Sequence, residues 1–118
     1  MKDIADIAAA VQLDGLVSSN TTISRDKLST PSQQEAEKIG MGGLSGKPLK
    51  ETSDEVLRKL VEYTAGKIPI IASGGIFTGD DAQDKLNLGA ELVQVWTGFI
   101  YEGPAIVKKI TKKINPTT

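Results

Sequence analysis

The sequence predicts an α/β fold in which about three parallel strands alternate with helices. Short apolar runs near residues 15–19, 68–73 and 91–96 have the length and composition of strands, and segments with helical periodicity separate them. Loops rich in glycine and small polar residues follow each run. Because right-handed crossovers connect parallel strands, these loops are expected at one edge of the sheet, where ligands commonly bind.

The first helix and strand are predicted from the amino-terminal periodicity. Apolar residues recur at i, i+3, i+4 and i+7, which indicates an amphipathic helix over residues 2–11: Ile4, Ile7, Ala8 and Val11. A turn and a short strand follow, ending at Asn20. Residues 23–50 have no sustained period, so we predict a long functional connection there, with one helical turn at residues 35–38.

The second half of the chain is predicted with sharper boundaries. Thr52 and Glu55 form a capping-box pattern before an amphipathic helix that ends at Gly66. Residues 68–72 are almost wholly apolar, as expected of a parallel strand buried on both faces.

Two more helices and the third strand complete the prediction. Thr78 and Asp81 are placed to cap a helix over residues 79–88, and Gly89 ends it. Residues 92–96 form the third strand, and Pro104 is expected at the first position of the last helix.

Composition limits the classes of function. The 118 residues suffice for one small domain, whereas closed eight-stranded barrels need roughly 200 residues or more. A net charge of −1 gives no bulk attraction to nucleic acid. The chain has no Cys and no His, so we expect no disulfide, no metal site and no catalytic imidazole. No apolar run approaches a membrane span, and we expect a soluble chain.

The loops contain the candidate binding residues. Asn20, Thr21 and Thr22 offer an amide and two hydroxyls that suit a planar ligand with carbonyl and carboxylate groups; alternatively they form an Asx turn that ends the strand. Residues 42–46 can wrap an anion or form a surface loop, and Lys47 beside them is a phosphate contact or a solvated side chain.

Glycines after the second and third strands favour a phosphate site. Gly74 and Gly75 stand between a strand and a helix, and Gly98 follows the next strand. The alternative is a pair of turns that need positive φ. Trp96 flanks a flavin or nucleotide, or belongs to the core. The basic run at residues 108–113 is interpreted as a solvated helix face.

Four of these segments, in consistent order and spacing, resemble the C-terminal part of the class 2 (quinone-dependent) dihydroorotate dehydrogenases. They are residues 14–25, 42–49, 68–76 and 90–99. The resemblance implies a partial TIM (β/α)8 barrel, with residues 1–118 as its C-terminal portion. It also implies that the parent enzyme binds FMN, oxidises dihydroorotate to orotate in pyrimidine (UMP) biosynthesis and passes electrons to a membrane quinone.

The resemblance assigns roles residue by residue. Asn20 and Thr21 would bind the substrate. Five residues would bind FMN, the last three of them around its phosphate: Ser19, Gly46, Gly75, Trp96 and Thr97. Ser19 stands where the family often has Thr, and Trp96 where it commonly has Tyr, so a backbone contact is expected at position 96.

The family's catalytic serine base, its flavin-side lysine and its membrane-docking helices match no residue here, and they are expected upstream. The parent would be peripherally associated with the membrane on its cytoplasmic side and would meet the quinone through that region. Two hypotheses follow: an enzyme segment that is inactive alone and works when joined to a complementary barrel fragment, or a non-catalytic, stand-alone or engineered partial barrel that self-associates. Other FMN barrels, such as the 2-hydroxy-acid oxidases, fit less well because their catalytic His is absent.

Overall fold

A single parallel sheet organises the chain, whose residues 1–115 are described by a computed structural model. The elements, in chain order, are α1 (Lys2–Ala10), β1 (Leu16–Ser18), α2 (Thr30–Ile39), a 3-10 turn (Lys47–Leu49), α3 (Lys50–Thr64), β2 (Ile70–Ser73), α4 (Gly79–Asn87), β3 (Leu92–Gln94), α5 (Thr97–Glu102) and α6 (Ala105–Ile114). The strands lie in the order β1-β2-β3 and pair in parallel. The predicted parallel α/β architecture is therefore confirmed.

Two apolar clusters stabilise the sheet and its helices. In the first, side chains of α3 pack against β2: Leu57, Leu60, Ile70, Ala72 and Ala90. In the second, α4 and α6 pack together near the end of β2: Ile76, Ala82, Ile106 and Ile110. Val93 of β3 packs against both clusters, so the third strand joins them.

The predicted start and end of α4 are confirmed. The Thr78 side chain accepts a hydrogen bond from the Asp81 N–H, and the Asp81 carboxylate accepts one from the Thr78 N–H, which completes a capping box. Gly89 follows the helix with φ of +113°, a conformation that favours glycine.

Helix α2 was not predicted from the sequence. It spans ten residues, where the sequence analysis expected one turn at residues 35–38. The helix buries none of its side chains, so no apolar stripe marks its period. The available signals were Pro31 near its start and Gly40 directly after its end.

The predicted start of α3 is wrong. Thr52 and Glu55 lie inside the helix, which begins at Lys50 without a side-chain cap. The 3-10 turn runs straight into the helix. Leu49, the last residue of the turn and the one before the helix, already has helical backbone angles. No extended residue is left at which a capping box can form.

The region after β3 also differs from the prediction. The strand ends at Gln94, Trp96 precedes a short helix α5 that was not predicted, and Pro104 precedes α6 instead of occupying its first position. The apolar residues of α5 extend the apolar pattern of β3, so periodicity alone does not separate the two elements.

One face of the sheet is covered by α3 and the other is open. Val17, Ile71 and Leu92 are register partners across the three strands on the open face. Val17 is 59% exposed and Leu92 61% exposed. The prediction that β2 is buried on both faces is therefore only half right: Ile70 and Ala72 are buried, whereas Ile71 is half-buried. No helix among residues 1–115 is long and apolar enough to cross a membrane.

We expect the 118-residue chain to self-associate through this open face, because a row of exposed apolar side chains lies beside two unpaired strand edges. Val17→Lys should shift the mass measured by light scattering toward that of one chain. Met41→Lys is the matched control, since Met41 is fully exposed in a loop away from the sheet. A compact wild-type monomer would contradict the prediction.

Candidate functional site

A cavity of about 700 Å³ lies at the carboxyl ends of the three strands. The seven residues to which the resemblance assigns substrate or FMN binding all line it: Ser19, Asn20, Thr21, Gly46, Gly75, Trp96 and Thr97. Two other candidates from the sequence, Thr22 and Lys47, do not line it. The parallel register explains this convergence, because the loops after β1, β2 and β3 leave the sheet at the same edge. The long connection before α3 contributes Ser45, Gly46 and Leu49.

The loop after β1 presents a carboxamide with free donors. The Asn20 Oδ1 atom accepts the Thr21 N–H at 2.8 Å, which fixes the amide plane beside the strand end. Its two N–H donors have no acceptor among residues 1–115. The Ser19 N–H donates to the Ser73 carbonyl at 3.2 Å, so this loop is tied to the end of β2. This contact is to the adjacent N–H, whereas an Asx turn uses the N–H two residues on, so the Asx-turn alternative is wrong at Asn20.

The glycine-rich segment is anchored at both of its sides. Thr22 and Leu44 exchange two backbone hydrogen bonds, which fasten the segment to the loop after β1. The Thr97 hydroxyl donates to the Ser45 Oγ atom at 2.7 Å, which joins the segment to the start of α5. Gly46 directly follows the second anchor; it is buried, has φ of +85° and lines the cavity.

The positions of Lys47 and Trp96 can be compared with the alternatives that the sequence left open for them. The Lys47 ammonium lies 5.3 Å from the centroid of the Phe77 ring, a cation–π arrangement, and Lys47 does not line the cavity. Trp96 lines the cavity and is 72% exposed, so it lies outside the core that residues 1–115 form among themselves. The lysines of the basic run are exposed, as the sequence analysis expected.

The turn formed by Gly74 and Gly75 requires glycine for two physical reasons. Their φ values are +113° and +71°. A Cβ atom on Gly75 would lie 2.5 Å from the Lys50 Cα atom, so a side chain there would collide with the backbone of α3. The alternative of a turn that needs positive φ is thus also true at Gly74 and Gly75, which line the cavity as well. It is wrong at Gly98, which lies within α5 and has no positive φ.

The cavity is electrically neutral at its surface. None of the residues that line it carries a carboxylate, amine, guanidinium, thiol or phenol. Its polar groups are amides, hydroxyls and backbone groups, which orient a ligand by hydrogen bonding. Among residues 1–115 no group of three or more potential metal-ligating side chains comes together.

A charged cluster on α3 and α4, which was not predicted from the sequence, lies outside the cavity lining: Lys50, Asp54, Asp84 and Lys85. Lys85 of α4 is fully buried, with its Nζ atom 2.6 Å from the Asp54 Oδ1 atom of α3. Lys50 contacts the Oδ2 atoms of Asp54 and Asp84, each at 3.0 Å. The available signal was the spacing of Lys85 from Ala82, since residues at i and i+3 share a helix face.

The pKa values of Lys85 and Lys50 shift in opposite directions. Burial lowers the pKa of Lys85 below its ordinary value of 10.5, because desolvation outweighs the hydrogen bond that the Lys85 ammonium donates to Asp54. Burial also lowers the pKa of Lys50, but its hydrogen bonds to Asp54 and Asp84 outweigh that cost and raise the pKa overall.

Comparison with known proteins gives one consistent result. The family model described as dihydroorotate dehydrogenase matches residues 1–117. A dihydroorotate dehydrogenase (quinone) from Christiangramia forsetii is 49% identical over 114 residues, which are 97% of this chain and 32% of the relative. One from Neisseria meningitidis serogroup A is 47% identical over 97% of this chain and 33% of the relative.

Solved structures agree with the sequence relatives. A crystal structure of ligand-free DHODH from Eimeria tenella superposes with a TM-score of 0.86 at 40% identity, covering 98% of this chain and 31% of that chain. The ferulenol complex of the same protein gives a TM-score of 0.83. The chain thus spans about a third of the length of the curated relatives it matches.

We predict that Lys85 makes stability rise with pH on the alkaline side of neutrality. Between its lowered folded-state pKa and 10.5, the unfolded chain binds the lysine proton and the folded chain does not, so the free energy of unfolding increases with pH. Chemical denaturation at a series of pH values up to 10.5 should show this rise in the wild type and lose it in Lys85→Met. Lys59→Met, on the half-exposed Lys59–Glu55 pair, should keep the wild-type slope. Equal slopes in wild type and Lys85→Met would contradict the prediction.

Proposed function

Because the chain belongs to the dihydroorotate dehydrogenase family, we propose that it is the part of a quinone-dependent enzyme that holds the substrate's polar edge and the phosphate end of FMN. The whole enzyme would oxidise dihydroorotate to orotate in pyrimidine biosynthesis and pass the electrons to a quinone at a membrane surface. The observation that carries this proposal is the convergence of all seven proposed binding residues on one neutral cavity.

Asn20 and Thr21 are proposed to orient the substrate. The Asn20 carboxamide keeps its oxygen engaged with the Thr21 N–H, so its free N–H donors are available to oxygen acceptors. Dihydroorotate carries a carboxylate and ring carbonyls, and a neutral amide donor binds such groups without the desolvation cost of a second charge. Thr21 lines the same cavity.

The other wall is proposed to bind FMN, which accepts a hydride from the substrate when it is bound. The Gly75 N–H has no acceptor among residues 1–115, so it is free to donate to a phosphate oxygen. The Thr97 hydroxyl already donates to Ser45, which leaves its backbone N–H for the ligand. Gly46 offers close backbone approach, and Ser19 and Trp96 extend the same surface.

Oxidation of dihydroorotate also requires a base that takes the second proton. The lining residues include no titratable side chain, and amides and isolated hydroxyls do not accept a proton at neutral pH. We propose that the base belongs to the two thirds of the family's length that this chain does not span. The residues present here bind and orient.

The 118-residue chain should therefore produce no orotate from dihydroorotate, even with FMN and an electron acceptor supplied. FMN does not replace a protein base, because the proton must be taken at hydrogen-bond distance from the substrate. Orotate formation can be followed by its ultraviolet absorbance, with a chain-free reaction as the control. Turnover by the chain alone would place the base among its own residues.

The proposed substrate contact can be tested in a chimaera. This chain would replace the matching third of the Neisseria meningitidis relative, which should give a flavin-containing protein that oxidises dihydroorotate. Asn20→Asp exchanges the N–H donors for a carboxylate, and its repulsion of the substrate carboxylate should raise KM at least about tenfold while the flavin content stays unchanged.

Asn87→Asp is the matched control for added charge. Asn87 ends α4, accepts a hydrogen bond from Gln83 and does not line the cavity. It should leave KM unchanged. A colourless chimaera would count against the FMN proposal, and an unchanged KM in Asn20→Asp would remove Asn20 from the substrate site.

A further inference from the structure

The turn of Gly74 and Gly75 is fastened from behind by a buried serine. The Ser53 Oγ atom lies 3.0 Å from the Gly74 carbonyl oxygen and 2.9 Å from the Lys50 carbonyl oxygen. Ser53 itself is 1% exposed, so water does not compete for these contacts. This one hydroxyl therefore bridges the end of β2 and the first turn of α3.

Lys85 determines the direction in which that hydroxyl donates. Its buried ammonium group donates to the Ser53 Oγ atom and pairs with Asp54. A lysine ammonium has donors only, so Ser53 must act as its acceptor and direct its own proton to a carbonyl. The buried lysine thereby leaves the Ser53 proton to the two carbonyls within its reach, that of Lys50 on α3 and that of Gly74 in the turn.

The Gly74 carbonyl in turn determines where the Gly75 N–H points. In a planar trans peptide, the C=O and the following N–H are held in opposite directions. Because the carbonyl is directed toward Ser53 and α3, the Gly75 N–H is directed away from α3. Gly75 lines the cavity and its N–H has no acceptor among residues 1–115.

We propose that Ser53, held by Lys85, is a positioning residue that keeps the Gly75 N–H aimed into the cavity for an anionic phosphate group. The proposal rests on the FMN-phosphate role given to Gly75 above. Preorganised donors of this kind bind an anion without paying for loop ordering at the moment of binding. Neither Ser53 nor Lys85 lines the cavity, so both act through the backbone.

Nuclear magnetic resonance of the chain labelled with ¹⁵N-glycine would test the positioning directly. The chain has 12 glycines, so the Gly74 and Gly75 signals can be followed in a simple spectrum. In the wild type their amide order parameters should be near 0.85, and in Ser53→Ala they should fall below about 0.6. Lys85→Met should lower them in the same direction.

Thr64→Val is the matched control. Thr64 is a second buried hydroxyl on α3, in its last turn, where it donates to the Leu60 carbonyl at 2.8 Å. Removal of the Thr64 hydroxyl should leave Gly74 and Gly75 ordered. If Ser53 only stabilised α3, Ser53→Ala and Thr64→Val would have the same effect on the order of Gly74 and Gly75. Circular dichroism checks that α3 persists, and if Ser53→Ala loses helix, Lys85→Met decides the result.

Addition of FMN to the same samples separates this inference from the proposed function. FMN should shift the Gly75 resonance of the wild type, and Ser53→Ala should weaken its binding at least about tenfold. If FMN shifts no glycine signal in the wild type while Ser53→Ala still frees Gly75, the FMN role fails and the positioning role stands. Wild-type order at Gly75 in both Ser53→Ala and Lys85→Met would overturn the positioning role.

Discussion

The close packing of the Gly75 turn against the backbone of α3 is the constraint on which the cavity depends. No Cβ atom fits between Gly75 and Lys50, so the end of β2 and the start of α3 meet at backbone distance. The Ser53 hydroxyl joins the same two segments, and the loops after β1 and β3 flank the turn because the strands run in parallel. A displaced α3 would therefore move every wall of the cavity.

Burial of Lys85 beside Asp54 gives this packing a polar centre where two apolar side chains would often serve stability equally well. Removing one partner of a buried ion pair costs roughly 3–5 kcal/mol, whereas replacing both partners by apolar groups is often neutral. The presence of the Lys85–Asp54 pair is thus weak evidence for stability. Its contacts join α4 to α3 and, through Ser53, to the glycine turn, beside a cavity without titratable side chains.

The sequence predicted elements well wherever a local signal coincided with burial. The capping box at Thr78 and Asp81 lies next to the buried Ala82, and local chemistry and packing agree on where α4 begins. The pattern at Thr52 and Glu55 is chemically just as good, yet the preceding 3-10 turn had already started the helix. Helix α2 buries nothing and so lacked the apolar period on which the prediction relies.

The sequence by itself determined the strands, their parallel order and the identity of the loop residues, because apolar runs and glycine placement are properties of adjacent residues. Its family resemblance likewise rests on four local motifs. Only the tertiary structure decided that Lys85 points inward, that Ser45 joins Thr97, and that Ser53 fastens Gly74. These contacts link residues between 21 and 52 positions apart, and no local pattern specifies which distant partner a buried hydroxyl or ammonium will meet.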